Sequence, residues 1–231
     1  MNSFRMLPLD IPGFDLPAAF AVRFDVQHAA DADFAWHGIP FPSSLERAVL
    51  KRRVEFLAGR RCALEALRAC GSLVADLPIG PDRAPVWPEG FLGSITHADT
   101  IAAAVALPAG GIRGVGIDIE CVASGPALDA LETTVVGASE RGAMDALVHA
   151  MGRAEAFTVV FSAKESFYKA TARAVGRVFD FSAVHVVGTP EPGLLELEVA
   201  ENLAEGLSRG QRMQVRVSSI DRQTLMTACA W

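Results

Sequence analysis

The stretch GFLGSITHADTIAAAVALPAGGIRGVGIDIE, residues 90–120, is a series of short apolar runs cut at Asp99-Thr100 and at Pro108-Ala109-Gly110-Gly111. Runs of this length between turn-forming residues read as strands joined by turns, with polar residues at the strand ends. Upstream, SSLERAVLKRRVEFLAGRRCALEALRAC, residues 43–70, reads as one long helix, with Ser43 and Glu46 as a capping box and Gly71 as the stop. Downstream, residues 139–176 return to helical character. After them VFDFSAVHVV, GLLELEVA, MQVRVSSI and LMTACAW alternate like half-buried antiparallel strands. Helix plus sheet thus occurs twice. The expectation is an α+β chain of two similar halves, residues 1–112 and 113–231, meeting near residues 110–115 with a groove between them as the natural ligand site.

The bulk composition narrows the class. With 231 residues, 51% of them hydrophobic, the chain can bury a full core. No apolar run approaches the roughly 18 uncharged residues that span a bilayer, and the N-terminus lacks a basic start followed by an apolar stretch, so a cytoplasmic protein is expected. Cys62, Cys70, Cys121 and Cys229 show no metal-ligand spacing and read as reduced thiols. A net charge of −6 argues against general nucleic-acid binding while allowing a local basic pocket for a small anion.

Polar residues cluster at four places. In VGIDIE, Asp118 and Glu120 are two apart in a strand-like run, so both project from one face. Two carboxylates so placed suit a solvated edge or a shared hard cation, and oxygen ligands favour magnesium over zinc. The flanking Gly114, Gly116 and Val115, Ile117, Ile119 read as a strand entering a core. In FSAKESFYKA, residues 161–170, Glu165 and Lys169 are helical neighbours, with Phe161 one turn before Glu165, a spacing that by itself reads most simply as an exposed ion pair on a solvated face. The chain has eighteen arginines and only three lysines, yet Lys164 and Lys169 both fall in this stretch. Lysine is a compact ammonium whose pKa falls on burial, so it can give a proton to a leaving oxygen, which arginine hardly can. With a third carboxylate, the set suits phosphoryl transfer. Thr96-His97 ends a strand with a hydroxyl and an imidazole that can bond a phosphate, or His97 is a plain core or turn histidine, the commoner case for the motif taken alone. Arg53 and Arg60, seven apart on the long helix, with Arg52 beside them and Arg83 in the turn-rich PIGPDRAPVWP, can supply guanidinium forks for a terminal phosphate or form a solvated basic face.

In this order and at these separations, RRVEFLAGRRCALEAL, PVWPEGFLGSITHAD, VGIDIE and FSAKESFYKA resemble the surfactin-type 4′-phosphopantetheinyl transferases, in particular the subgroup of the enterobactin pathway. The likeness spans roughly residues 45–180. It implies a pseudo-twofold pair of helix-plus-antiparallel-sheet halves with coenzyme A in the cleft, and transfer of the phosphopantetheine arm to a serine of an apo carrier protein or carrier domain of a polyketide, nonribosomal peptide or fatty-acid synthase. By the same resemblance Asp118, Glu120 and Glu165 hold magnesium on the pyrophosphate. Glu165, directly or through water, helps deprotonate the carrier serine. Lys169 meets the leaving 3′,5′-ADP phosphate and Lys164 supports the pyrophosphate. Thr96 and His97 match the phosphate-binding pair, and Arg53, Arg60, Arg52 and Arg83 the 3′-phosphate positions. The segment LDALETTVVGASERGAMDAL, residues 128–147, is where the carrier would dock. Two residues depart from the pattern: Phe161 where many relatives carry tryptophan, and Thr96 where serine is usual. By the same resemblance, a length near 230 with two internal halves implies a self-contained monomer, since relatives of half this length build the cleft by association.

Two other functions use the same residues. A non-catalytic module binding coenzyme A or a carrier would be expected to lose Glu165 or Lys169, and both are present. A magnesium-dependent hydrolase of nucleotide pyrophosphates would put water where the serine stands, and the basic helix favours the transferase over it.

Overall fold

The computed structural model describes residues 6–11, 16–80 and 83–231. The chain is α+β and divides into two compact units, the second running from Ile112 to Trp231. Among the described residues, no helix is long and apolar enough to cross a membrane.

The first unit is built on four antiparallel strands: β1 (Met6–Leu9), β2 (Ala19–Arg23), β3 (Phe91–Ala98) and β4 (Ile101–Pro108). Their order in the sheet is β1-β2-β4-β3. A short helix α1 (Ala32–Trp36) precedes the long helix α2 (Leu50–Ala69), which lies on β4 and β3. Small residues allow this close packing. Val54, Ala58, Cys62 and Ala66, four apart on α2, meet Ala102, Ala104 and Ala106 of β4 in one core, and a side chain at Gly59 would press on Ile95 Cγ2 at 2.8 Å.

Helix α2 starts later than expected. Ser43–Leu45 form a separate 3-10 turn, and the helix begins at Leu50 behind Val49, which offers no side-chain cap. The reason is local. Arg53 donates to the carbonyls of Ala48 and Glu46 at 2.9 and 2.8 Å, which keeps that segment out of the helix. Leu45 meanwhile buries with Phe34, Ile39, Leu57 and Leu64. At the other end the helix stops at Cys70 and Gly71 takes a φ of +85°, the conformation that glycine adopts without penalty.

The second unit begins with β5 (Val115–Cys121), followed by α3 (Gly125–Thr134), α4 (Arg141–Met151) and α5 (Arg153–Val175). Strands β6 (Val184–Glu191), β7 (Leu194–Val199), β8 (Arg212–Asp221) and β9 (Thr224–Ala230) complete an antiparallel sheet ordered β5-β9-β8-β7-β6. The helical region 139–176 is thus two helices, broken where Gly152 takes a φ of +86°. The expected strand over 178–187 starts only at Val184, because Asp180 caps a 3-10 turn, Phe181–Ala183, through the Ser182 amide.

Helix α5 packs on β5 and β9 and buries Val160, Ala163, Phe167 and Ala170. Its approach to β5 is set by two glycines. A Cβ at Gly114 or Gly116 would collide with the carbonyl oxygen of Ala170 or Ser166, so the bare backbone of the strand lies directly on the helix. This contact brings the polar end of β5 against the polar face of α5.

Candidate active site

Strand alternation sends Asp118 and Glu120 to the same side of β5, toward α5. Asp118 is 3% exposed. Lys169 Nζ donates to its Oδ1 at 2.6 Å and to the Ile117 carbonyl at 3.3 Å. Ser162 Oγ donates to its Oδ2 at 2.8 Å. Glu165 and Lys169, one turn apart on α5, and Glu120 on β5 are all half-buried around this carboxylate. Burial, then the charges of Asp118 and Glu165, push Glu120 up to about 7 against the opposing pull of Lys169. Burial also raises Glu165, which feels Lys169 and Asp118 in opposite senses. The expected catalytic group of Asp118, Glu120, Glu165 and Lys169 is therefore gathered in one place, with three acids sharing one lysine.

The donor set fits magnesium by its chemistry. It is three carboxylates with no nitrogen or sulfur; burial raises both Glu120 and Glu165, and at Glu120 the neighbouring carboxylates Asp118 and Glu165 add to that rise. As the side chains stand, with Lys169 on one oxygen of Asp118 and Ser162 on the other, no group of three acidic, histidine or cysteine residues among the described residues converges tightly enough to hold a metal.

Lys164 departs from expectation. Its side chain is 1% exposed and points away from Asp118, into the body of the second unit. The ammonium donates to Glu140 Oε1 at 2.7 Å and to the carbonyls of Val135 and Phe181 at 2.8 and 3.1 Å, which accounts for all three of its protons. Glu140 in turn accepts from the amides of Val186 and Gly137 at 2.8 and 2.7 Å. Desolvation lowers the Lys164 pKa, with Glu140 opposing. A support for pyrophosphate needs free N–H groups, and Lys164 has spent its own on the fold. In the segment 128–147, Leu128, Val135, Met144 and Leu147 are buried, while Leu131, Val136 and Ala143 are part-exposed and Ala130, Ala138 and Ala146 exposed.

In the first unit, His97 and Arg52 come together: Arg52 Nη1 lies 2.9 Å from His97 Nε2, and Glu55 lies 3.8 Å from both side chains. Glu55 is a member of this group that the sequence did not single out. Thr96 is buried on the opposite face of β3, so Thr96 and His97 are neighbours in sequence and not on one surface. Arg53 spends three of its five donors on Asp31 and on the carbonyls of Ala48 and Glu46, and lies over the Phe41 ring. Arg60 is different. It is 5% exposed, lies over the Phe56 ring at 4.7 Å, and its Nε has no hydrogen-bond partner among the described residues. Burial lowers it to about 10 despite Asp76. Phe56 and Asp76, which face Arg60, also line an open pocket of about 390 Å³ with Pro40, Pro42, Pro78 and Ile79; Arg60 itself is not among its lining residues. Arg83 is exposed, and its amide donates to the Gly80 carbonyl at 3.0 Å.

The first unit thus carries a basic helix with a buried arginine, and the second a strand–helix pair with three acids and a lysine, groups whose chemistry suits anionic ligands and a hard cation. Comparison with known proteins agrees. Residues 41–107 match the 4′-phosphopantetheinyl transferase N-terminal domain, and residues 114–206 match the 4′-phosphopantetheinyl transferase superfamily. Enterobactin synthase component D of Salmonella typhi is 32% identical over 90% of this chain and 91% of its own length. The 4′-phosphopantetheinyl transferase Svp of Streptomyces mobaraensis is 35% identical over 64% of this chain and 59% of its own. The 4′-phosphopantetheinyl transferase PptT of Mycobacterium tuberculosis is 35% identical over 62% and 61%. The chain belongs to the 4′-phosphopantetheinyl transferase superfamily and is an enzyme of that class.

Proposed function

We propose that the protein uses Asp118, Glu120, Glu165 and Lys169 to transfer the phosphopantetheine arm of coenzyme A to the serine hydroxyl of an apo carrier domain. The serine oxygen forms a bond to the β-phosphorus, the pyrophosphate bond breaks, and 3′,5′-ADP leaves with the electron pair. Asp118, Glu120 and Glu165 would hold magnesium, which when bound neutralises pyrophosphate charge. Glu165 accepts the serine proton, directly or through water; its half-buried position raises its affinity for that proton. Lys169 offers its ammonium to the leaving phosphate oxygen. In the first unit Arg60 takes the 3′-phosphate, with Arg52 and His97 as further phosphate donors and Arg53 and Arg83 as auxiliary cations; Thr96, buried on the other face of its strand, is left out of the phosphate contact. Carrier domains of nonribosomal peptide, polyketide and fatty-acid synthases are the substrates, and the protein works in the cytoplasm as a monomer.

The observation that supports this reading best is the meeting of Asp118, Glu120, Glu165 and Lys169 at one strand–helix contact. Its test is Glu165→Gln, which keeps shape and removes the proton acceptor. Transfer to an apo carrier should fall by about 100-fold or more while coenzyme A still binds. Retained transfer would remove Glu165 from the chemistry.

A further inference from the structure

The hydroxyls of α5 have an ordinary destination, and one of them does not take it. Thr158, Ser166 and Thr171 each donate back to a carbonyl of their own helix, to Ala154, Ala163 and Phe167 at 2.8 to 2.9 Å. That is the usual behaviour of serine and threonine inside helices. Ser162 instead crosses to Asp118 Oδ2. On its far side stands Thr227 of β9, directly opposite Asp118 in the strand register. Thr227 Oγ1 lies 2.9 Å from Ser162 Oγ and 2.8 Å from the Ser162 carbonyl. Both residues are 0% exposed.

Counting protons fixes the direction of this chain. An ionised carboxylate only accepts, so the single Ser162 hydroxyl proton goes to Asp118. The contact between the two hydroxyls must then use the Thr227 proton, which is shared between Ser162 Oγ and the Ser162 carbonyl. Thr227 therefore holds Ser162 in the one orientation that serves Asp118, and a donor chain runs from Thr227 through Ser162 to the carboxylate. Lys169 holds the other oxygen.

We propose that Thr227 and Ser162 are positioning residues that set the Asp118 carboxylate for its metal, Ser162 by direct contact and Thr227 through Ser162. This rests on the reading of Asp118 as a magnesium ligand. Neither residue touches substrate. Outer partners that orient a ligating carboxylate typically govern metal affinity by about 10- to 100-fold.

The test uses manganese as the probe. Binding of Mn²⁺ to the protein with saturating coenzyme A is measured by calorimetry and by electron paramagnetic resonance, for wild type, Ser162→Ala, Thr227→Val, Thr227→Ser and the Ser162→Ala, Thr227→Val double variant. Thermal unfolding of each variant confirms folding. Ser162→Ala should weaken Mn²⁺ by about tenfold or more, and Thr227→Val should weaken it in the same direction. The double variant should bind no worse than Ser162→Ala alone, because both act along one path, and Thr227→Ser, which keeps the hydroxyl, should stay within about threefold of wild type. Unchanged Mn²⁺ affinity in Thr227→Val, or losses that add in the double variant, would overturn the proposal for Thr227. Should Thr227→Val fail to fold, Ser162→Ala carries the test: an unchanged affinity there would overturn the whole chain. If wild type itself binds no Mn²⁺ with coenzyme A present, the metal reading of Asp118 fails, and the proposal with it.

Discussion

Lys164 Nζ lies 2.7 Å from Glu140 Oε1, with both side chains 1% exposed, while five residues further along the same helix Lys169 Nζ lies 2.6 Å from Asp118 Oδ1. The two lysines thus do different work. One is an internal tie between α5, the start of α4 and the carbonyls of Val135 and Phe181; the other belongs to the site. Arginine at 164 would bring a wider, planar group to a place with three acceptors arranged for one nitrogen.

Lys164→Met should therefore act on stability first. Removing one partner of a buried pair strands the other charge, and the expected cost is about 3–5 kcal/mol in denaturant unfolding. Adding Glu140→Gln to it should cost less than the sum of the two single changes. A Lys164→Met protein of wild-type stability that loses coenzyme A affinity would return Lys164 to the pyrophosphate.

Lys169→Arg keeps the charge beside Asp118 and gives up a group that can readily release a proton. Turnover should fall by about 10- to 100-fold while the dissociation constant of coenzyme A changes by less than about threefold. Equal losses in the two would make Lys169 a clamp alone.

Arg60→Ala removes a buried guanidinium that lies over Phe56 and whose Nε has no partner among the described residues. It should raise the KM for coenzyme A by about tenfold more than the KM for 3′-dephospho-coenzyme A. Because any general loosening weakens both substrates alike, equal effects would take Arg60 off the 3′-phosphate.

Glu120 is half-buried beside two other acids, and its pKa of about 7 reflects that. With metal chelated, Glu120→Gln should raise the unfolding free energy by about 1 kcal/mol, a figure reduced for solvent screening. It should at the same time abolish transfer. A loss of stability would mean that the Glu120 charge is compensated in the folded protein.

The strand–helix core of the site was legible because its signals are local. Alternation put Asp118 and Glu120 on one face, the four-residue step joined Glu165 to Lys169, and Gly114, Gly116 and the apolar residues between and beyond them read as a strand entering a core; that the two glycines let α5 lie directly on that strand is visible only in the fold. What the sequence hid was long-range. Glu140 meets Lys164 across 24 residues, and Thr227 reaches Asp118 only because β9 inserts beside β5. Helical spacing cannot say which of Lys164 and Lys169 faces β5 until the helix is docked. The late start of α2 was hidden for a similar reason: the capping-box pattern at Ser43 and Glu46 is outweighed by Arg53 claiming the carbonyls before Leu50 and by the burial of Leu45.

The central claim is the reaction itself. Intact-mass spectrometry of a panel of apo carrier proteins, incubated with this protein, coenzyme A and magnesium beside a chelator control, tests it most directly. The account predicts a gain of one phosphopantetheine on at least one carrier, lost with chelator. Unchanged masses across the panel, with coenzyme A still bound to the protein, would contradict it.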